Sequence, residues 1–286
     1  MKQQYQLTSL TPKPFVKWAG GKRQLIPIIT SHIPNKFERY FEPFLGGGAV
    51  FFHLISQNKK SKWLISDLNS DLVLSYITIR DNIKELISAL EFHAKNYAKN
   101  SSTYYYKIRE NNPKSQVDKV SRLIFLNKTC FNGLYRVNSK GKFNVPLGKY
   151  INPNIVNKEN LLAVSKTLQS KDIIIKCQDF EDALKSAGSD DFVYLDPPYQ
   201  PVSTTASFTS YTDNNFDFTD QKRLFVKFKS LDKRGVKVLL SNSKSTEILE
   251  LFREFKDGII EINANRFINS VSQKRTGHTE LLIKNY

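Results

Sequence analysis

The chain has few groups able to form a cross-link or hold a metal. Its 286 residues include two cysteines, Cys130 and Cys177, far apart and outside any CxxC pattern, and four scattered histidines. Neither a disulfide framework nor a structural zinc site is expected, and a reducing cytoplasm is the expected compartment. No run of about eighteen apolar residues occurs, so no membrane span is expected. The opening Met1-Lys2-Gln3-Gln4-Tyr5-Gln6 lacks the apolar core of a signal peptide. Internal repeats and low-complexity linkers are absent as well. Acid is scarce: 27 Asp and Glu stand against 43 Lys and Arg, a formal net charge of +16. Such a balance suits a polyanionic partner, nucleic acid before a membrane surface; generally basic proteins in the source organism are the plainer alternative. At 40% hydrophobic, the chain can bury a core as one large domain or one domain with an insertion.

The most informative stretch is Asp191-Phe192-Val193-Tyr194-Leu195-Asp196-Pro197-Pro198-Tyr199. Its apolar run reads as a buried strand of a parallel sheet. The strand ends abruptly, because neither proline can continue a ladder. In open α/β sheets ligands bind beyond the carboxyl ends of strands, which is where Asp196 falls. The prolines remove two N–H donors, leaving carbonyls without a regular partner beside a carboxylate. Carboxylate and carbonyl can take hydrogen bonds from an amino group, and the Tyr199 ring can stack on a flat ligand. A nucleobase fits that description.

Two glycine-bearing stretches come earlier. In Pro14-Phe15-Val16-Lys17-Trp18-Ala19-Gly20-Gly21-Lys22-Arg23, a Gly-Gly pair precedes a helix expected from Gln24 to about Ser31. Tyr40-Phe41-Glu42-Pro43-Phe44-Leu45-Gly46-Gly47-Gly48-Ala49 has the strand–glycine loop–helix shape of a nucleotide-type cofactor site. It has neither the GxGxxG spacing of dinucleotide binders nor the GK[ST] of a P-loop, so a nucleoside without pyrophosphate is expected. About twenty residues on, the strand Trp63-Leu64-Ile65-Ser66 ends at Asp67, placed to accept from ribose hydroxyls. Capping the next helix is the alternative role for Asp67, and the two are compatible.

Periodicity predicts a helix from Asp71 to about Asn100, a break marked by Tyr104-Tyr105-Tyr106 and Asn111-Asn112-Pro113, and a second helix from about Val117 to Asn127. From Lys119 to Lys149 the chain carries seven basic residues and no acid. Phe131, Tyr135, Phe143 and Tyr150 are interleaved with Asn127, Asn132, Asn138 and Asn144, and a hairpin is expected around Asn138-Ser139-Lys140-Gly141. Arginine and asparagine pair with guanine and adenine edges, lysines with phosphates, and aromatics wedge into base stacks. A solvated basic face is the plainer reading. Strands are expected at Ile173–Cys177, Val236–Leu240 (ending in Ser241-Asn242-Ser243), Ile259–Ile262 and Leu281–Ile283, with a helix from Thr219 to Leu231. The Ser/Thr-rich loop after Tyr199, through Phe208, Tyr211 and Phe216, reads as a flap over a site. Arg266-Phe267-Ile268-Asn269-Ser270 with Lys274 and Arg275 forms a basic loop, either touching DNA or closing the sheet.

Four motifs in order carry a resemblance: Phe15-Val16-Lys17-Trp18-Ala19-Gly20-Gly21-Lys22, Phe41-Glu42-Pro43-Phe44-Leu45-Gly46-Gly47-Gly48, Phe131-Asn132-Gly133-Leu134-Tyr135-Arg136-Val137-Asn138 and Asp196-Pro197-Pro198-Tyr199. Together they resemble the Dam-type adenine-N6 DNA methyltransferases of the α group, and within these the GATC methylases of DpnII-type restriction-modification systems. The resemblance covers nearly the whole chain. It implies a Rossmann-like α/β methyltransferase fold with a mixed, mostly parallel sheet. A mainly helical target-recognition insert with a β-hairpin, residues 71–157, would interrupt a catalytic domain made of 1–70 and 158–286. It implies S-adenosylmethionine as donor, no metal, double-stranded DNA as partner and a monomer in the cytoplasm. Trp18, Lys22, Phe44, Gly46, Gly48, Asp67, Asp179, Phe180 and Asp196 would bind the donor. Asp196, Pro197, Pro198 and Tyr199 would be catalytic. Lys17, Phe131, Asn132, Leu134, Arg136, Asn138 and Pro146 would meet DNA, with Phe131 as the wedge. The family often has tyrosine there; phenylalanine keeps the stacking surface and lacks the hydroxyl. Cytosine-N4 or RNA amino-methylation by the same turn, and a non-catalytic DNA-binding regulator, are the alternatives.

Overall fold

The computed structural model describes residues 10–57, 61–199, 216–264 and 278–286. Most of the expected flap and the Arg266–Arg275 loop lie outside these residues. Among the described residues no helix is long and apolar enough to cross a membrane.

Seven strands form one sheet: β1 (Arg39–Glu42), β2 (Lys62–Asp67), β3 (Ile173–Cys177), β4 (Phe192–Leu195), β5 (Lys237–Ser243), β6 (Ile259–Ala264) and β7 (His278–Lys284), in the order β3-β2-β1-β4-β5-β7-β6. β1 to β5 run parallel, and β7 lies antiparallel between β5 and β6. The chain moves outward one way from β1 through β2 to β3, then crosses back to start β4 on β1's other side. The order therefore reverses between β1 and β4, the point at which open α/β sheets bind ligands beyond the carboxyl ends of their strands. Glu42, Asp67 and Asp196 all sit at or just past that edge of the sheet.

Strand side chains alternate between two faces, and both faces are covered. Tyr40, Trp63, Ile65, Phe192 and Tyr194 enter one apolar cluster; Phe41, Val193, Leu195, Val238 and Leu240 enter the other. The first face is covered by α1 (Ile26–Ser31), α2 (Ala49–Gln57), α3 (Ser70–Asp81), α4 (Ile83–Lys99), α5 (Ser101–Glu110), α6 (Gln116–Thr129) and α7 (Lys158–Leu168). The second is covered by α8 (Phe180–Ala183), α9 (Phe218–Lys233) and α10 (Thr246–Leu251). Leu86, Leu90, Tyr105 and Phe125, from α4, α5 and α6, belong to the same cluster as Tyr40 and Trp63, so the expected insert shares its core with the sheet. Arg39 grips the buried Asp191 through two hydrogen bonds of 2.9 and 2.6 Å, tying β1 to the entry of β4.

Several expectations need correction. The helix expected over Asp71 to Asn100 is two helices, broken where Asn82 leaves helical geometry. Tyr104-Tyr105-Tyr106 is no break: these residues lie inside α5, with Tyr105 buried, because tertiary packing overrides the weak preference of tyrosine. α7 and α10 lie where no helix was expected. Asp67 does not cap α3; Asn69 does, its side-chain oxygen accepting from Leu72 N at 2.9 Å.

Gly48 fixes the loop that β1 feeds. Its φ is +70°, and a Cβ there would stand 2.8 Å from the Tyr76 hydroxyl. That hydroxyl donates to the Gly46 carbonyl at 2.9 Å, so it has little freedom to withdraw. Gly48→Ala is expected to lower unfolding stability by about 1–3 kcal/mol through strain at positive φ alone, measured by urea denaturation. An unchanged midpoint would mean that the loop relaxes freely.

Candidate active site and nucleic-acid interface

The loop after β1 is held from beneath. Asp67 Oδ2 accepts from Gly46 N at 2.8 Å and its Oδ1 from Asn69 N at 2.9 Å, which joins the end of β2 to the glycine turn. Both oxygens thus have a backbone partner, each with acceptor capacity left for a ligand hydroxyl. Trp18 lies against Gly46 on one side and Tyr135 on the other, with ring centroids 5.2 Å apart in the latter pair. Phe44 stacks on the buried Phe180 at 5.4 Å, and Phe216 meets Phe44 edge-on at 5.6 Å. The Arg223 guanidinium lies 5.0 Å over Phe180 and pairs with Asp179, Glu181 and Asp220. Asp179 also caps α8, accepting from Glu181 N at 2.8 Å. Trp18, Phe44, Gly46, Gly48, Asp67, Asp179 and Phe180 are thus linked by contact or short backbone spans along the carboxyl edge of β1, β2 and β3.

The strand-ending turn lies at that edge too. β4 is fully buried, and Pro197 is buried after it. Asp196 keeps 18% of its side chain exposed. The buried Lys22 Nζ is 2.9 Å from Asp196 Oδ1, donates to the Gly20 carbonyl at 2.9 Å, and lies 4.5 Å over the Tyr199 ring. Tyr199 donates its hydroxyl to Glu280 Oε2 at 2.7 Å. The Pro198 carbonyl accepts from Gln221 Nε2 at 3.1 Å, and Gln221 Oε1 in turn accepts from Asn242 Nδ2 at 3.0 Å. Among the described residues the Pro197 carbonyl has no hydrogen-bond partner. Burial pushes the Asp196 carboxyl up to about 6; the Lys22 ammonium opposes the shift and the Glu280 carboxylate adds to it. Burial also raises Glu42 and Asp67 above the usual carboxylate range. In each case removal from water disfavours the charged form.

On the basic face, Lys17, Phe131, Asn132 and Pro146 are exposed, and Leu134 is half-buried. Phe131 N donates to the Pro146 carbonyl at 2.8 Å, so these two are neighbours. Asn127, fully buried, organises the group. Its Oδ1 accepts from Lys17 N at 2.8 Å, and its Nδ2 donates to the Lys17 and Gly133 carbonyls at 2.8 and 2.9 Å. Gly133 lets the Lys17 stem cross it: a Cβ there would meet Lys17 Cδ at 2.4 Å. Arg136 and Asn138 lie on the expected hairpin. Arg136 Nε donates to Asn144 Oδ1 at 2.7 Å, and Asn138 Oδ1 accepts from Lys140 N and Lys142 N at 3.0 Å each, forming the turn. The Asn138 oxygen thus has a structural duty. Of the basic run, Arg122 faces inward and caps α5 through the Ile108 and Arg109 carbonyls.

Residues 18–268 match the family described as D12 class N6 adenine-specific DNA methyltransferase. The chain belongs to that family. It is 44% identical over 98% of its length to the type II methyltransferase M1.LlaDCHI of Lactococcus lactis subsp. cremoris, covering 98% of that protein. It is likewise 44% identical to the type II methyltransferase M.MjaIII of Methanocaldococcus jannaschii, over 96% of this chain and 99% of the relative. The DNA adenine methylase of Escherichia coli K12 is 32% identical, over 95% of each chain.

For a D12 methyltransferase, several residues missing from the expected site stand close to it. Glu280 holds Tyr199, Gln221 and Asn242 clamp Pro198, and Asn127 anchors Lys17. Glu42, from the second motif, accepts from Tyr40 at 2.7 Å inside the core. A sequence signal existed for Glu280: it is an acid within a strand, next to the buried Leu281 and Leu282. Gln221 is a polar residue on the buried face of α9 and Asn242 one in a buried strand, but which atom they serve depends on tertiary placement. Asn127→Ala would leave the Lys17 amide and the Lys17 and Gly133 carbonyls without their partner, at about 1–3 kcal/mol for each group left buried and unsatisfied. Denaturant unfolding alongside DNA affinity checks this. Wild-type values for both would show that the Lys17 loop does not depend on Asn127.

Proposed function

We propose that this D12 methyltransferase transfers a methyl group from S-adenosylmethionine to N6 of an adenine flipped out of double-stranded DNA, with GATC as its site. The observation that carries the proposal is the triad of the partly exposed Asp196 side chain, a Pro197 carbonyl with no hydrogen-bond partner among the described residues, and the Tyr199 ring beyond the carboxyl end of β4. The donor supplies an electrophilic methyl on a cationic sulfur. The Asp67 and Asp196 carboxyls at that edge give a cation a favourable setting, and the Trp18, Phe44, Phe180 and glycine-loop surfaces suit its nucleoside. Asp67 receives the ribose.

Flipping costs a few kcal/mol. Phe131, exposed at the tip of the basic face, wedges into the gap, and insert lysines hold phosphates. The flipped base stacks on Tyr199. Asp196 accepts one N6 hydrogen and the Pro197 carbonyl the other, which drives the nitrogen toward tetrahedral geometry and frees its lone pair for in-line attack. Asp196 then takes the proton that the alkylated amine sheds. Residues 71–157, together with Lys17, read the site: Arg136 a base pair, Lys17 the first guanine, Pro146 the outer pair, with Asn132 and Leu134 near the vacated space. The two type II relatives support a role in restriction-modification.

Labelled transfer to a GATC duplex, followed by digestion to nucleosides, is expected to place the label on N6-methyldeoxyadenosine from that site; label elsewhere would overturn the site assignment. Asp196→Ala is expected to abolish transfer while DNA binding persists. A wild-type rate in that variant would remove Asp196 from the chemistry. Arg136→Ala is expected to cost about 1–3 kcal/mol of discrimination against mismatched sites. Because only the ionised carboxylate accepts on both oxygens, the single-turnover rate is expected to fall as pH drops through about 6. A rate flat across that range would contradict the acceptor role.

A further inference from the structure

We infer that Glu280 is a positioning residue for methyl transfer, holding the Tyr199 ring through its hydroxyl and giving Lys22 a second counter-ion so that Asp196 remains open to the target amine. The inference rests on the role proposed for Asp196.

Lys22 is a buried cation, and a buried charge must stay paired. Its Nζ lies 2.9 Å from Asp196 Oδ1 and 3.9 Å from Glu280 Oε2, between two carboxylates and within hydrogen-bond reach of only one. The same Glu280 Oε2 accepts from the Tyr199 hydroxyl at 2.7 Å. One carboxylate oxygen therefore fixes the ring on which the base would lie and faces the ammonium that competes with the base for Asp196. When an amine docks on Asp196, the ammonium has a second acid 3.9 Å away to lean toward, and its charge stays compensated throughout. Without Glu280, Asp196 is the one acid left to pair with Lys22 among the described residues.

β7 supplies this group because it runs antiparallel to β5, with Glu280 in register with Ser243 at the carboxyl end of that strand. The charged and titratable groups facing Asp196 are Lys22 from the N-terminal loop, Glu280 from β7, Tyr40 and Glu42 from β1, Tyr194 from β4, and Tyr199. Lys22 favours the ionised form of Asp196 and Glu280 disfavours it.

Glu280→Gln keeps the shape and an oxygen for the Tyr199 hydroxyl but removes the charge. Its single-turnover rate at neutral pH is expected to fall by roughly 10–100-fold, the scale of a misplaced reactive group, with little change in DNA affinity. The acid limb of its pH–rate profile is expected to move to lower pH, because the carboxylate that raises Asp196 is gone. Glu280→Asp is expected to restore the limb toward wild type. Tyr199→Phe, which removes the hydroxyl alone and provides a second test should the Glu280 variants not fold, is expected to slow transfer without moving the limb. A Glu280→Gln limb at the wild-type pH, or a wild-type rate, would overturn the inference; so would a Tyr199→Phe rate equal to wild type. Asp196→Ala run in parallel separates the cases. If it is active, the role of Asp196 fails; if it is inactive while Glu280→Gln behaves as wild type, only the role of Glu280 fails.

Discussion

The ion pair between Lys22 and Asp196 is the interaction on which the rest of the site depends. It joins a loop near the start of the chain to the turn after β4, and Glu280 brings in the last strand. Three segments remote in sequence meet at one ammonium. The burial that makes the pair necessary is a consequence of the fold. A parallel sheet covered on both faces has strand ends as its open edge, and the switch point between β1 and β4 puts Asp196 there. Placing an acid in that position costs desolvation, which appears as the raised Asp196 carboxyl. An ammonium lowers that cost now, and an amine with a cationic donor nearby can do so during the reaction.

The Pro14–Arg23 stretch links this chemistry to the basic face. Lys17 is clasped by Asn127 and crosses Gly133. Trp18 lies between the glycine loop and Tyr135, whose hydroxyl meets Asp71 at 3.0 Å. Lys22 reaches Asp196. Within six residues, consecutive side chains touch the insert, the proposed donor site and the proposed catalytic turn.

Much of this was legible in the sequence. β1 to β5 fell where apolar runs ended in polar or glycine-rich residues, since a buried strand and its abrupt stop are both local features. The strand before Asp196 and the hairpin at Asn138–Gly141 were readable for the same reason. What could not be read depends on distance in the fold. The helical state of Tyr104–Tyr106 is settled by packing of Tyr104 and Tyr105 against Phe125 rather than by local preference. Asp67 and Asn69 both had polar side chains suited to a cap, and only backbone geometry assigns the cap to Asn69. Glu280, Gln221 and Asn242 support the Asp196–Tyr199 turn from β7, α9 and β5, elements whose proximity to it is a property of sheet order. Asn138 is expected to meet DNA, and that its oxygen also shapes the hairpin turn is visible only in the folded loop.

The central claim is that the Asp196–Pro197–Tyr199 turn receives the amino group of an extrahelical adenine. The most direct test is the structure of the protein bound to a GATC duplex and a non-transferable analogue of the donor. The account predicts the target adenine outside the helix, its ring on Tyr199, and N6 within hydrogen-bond distance of both the Asp196 carboxylate and the Pro197 carbonyl. An adenine still stacked in the duplex, or an extrahelical base whose amino group points away from Asp196, would contradict it.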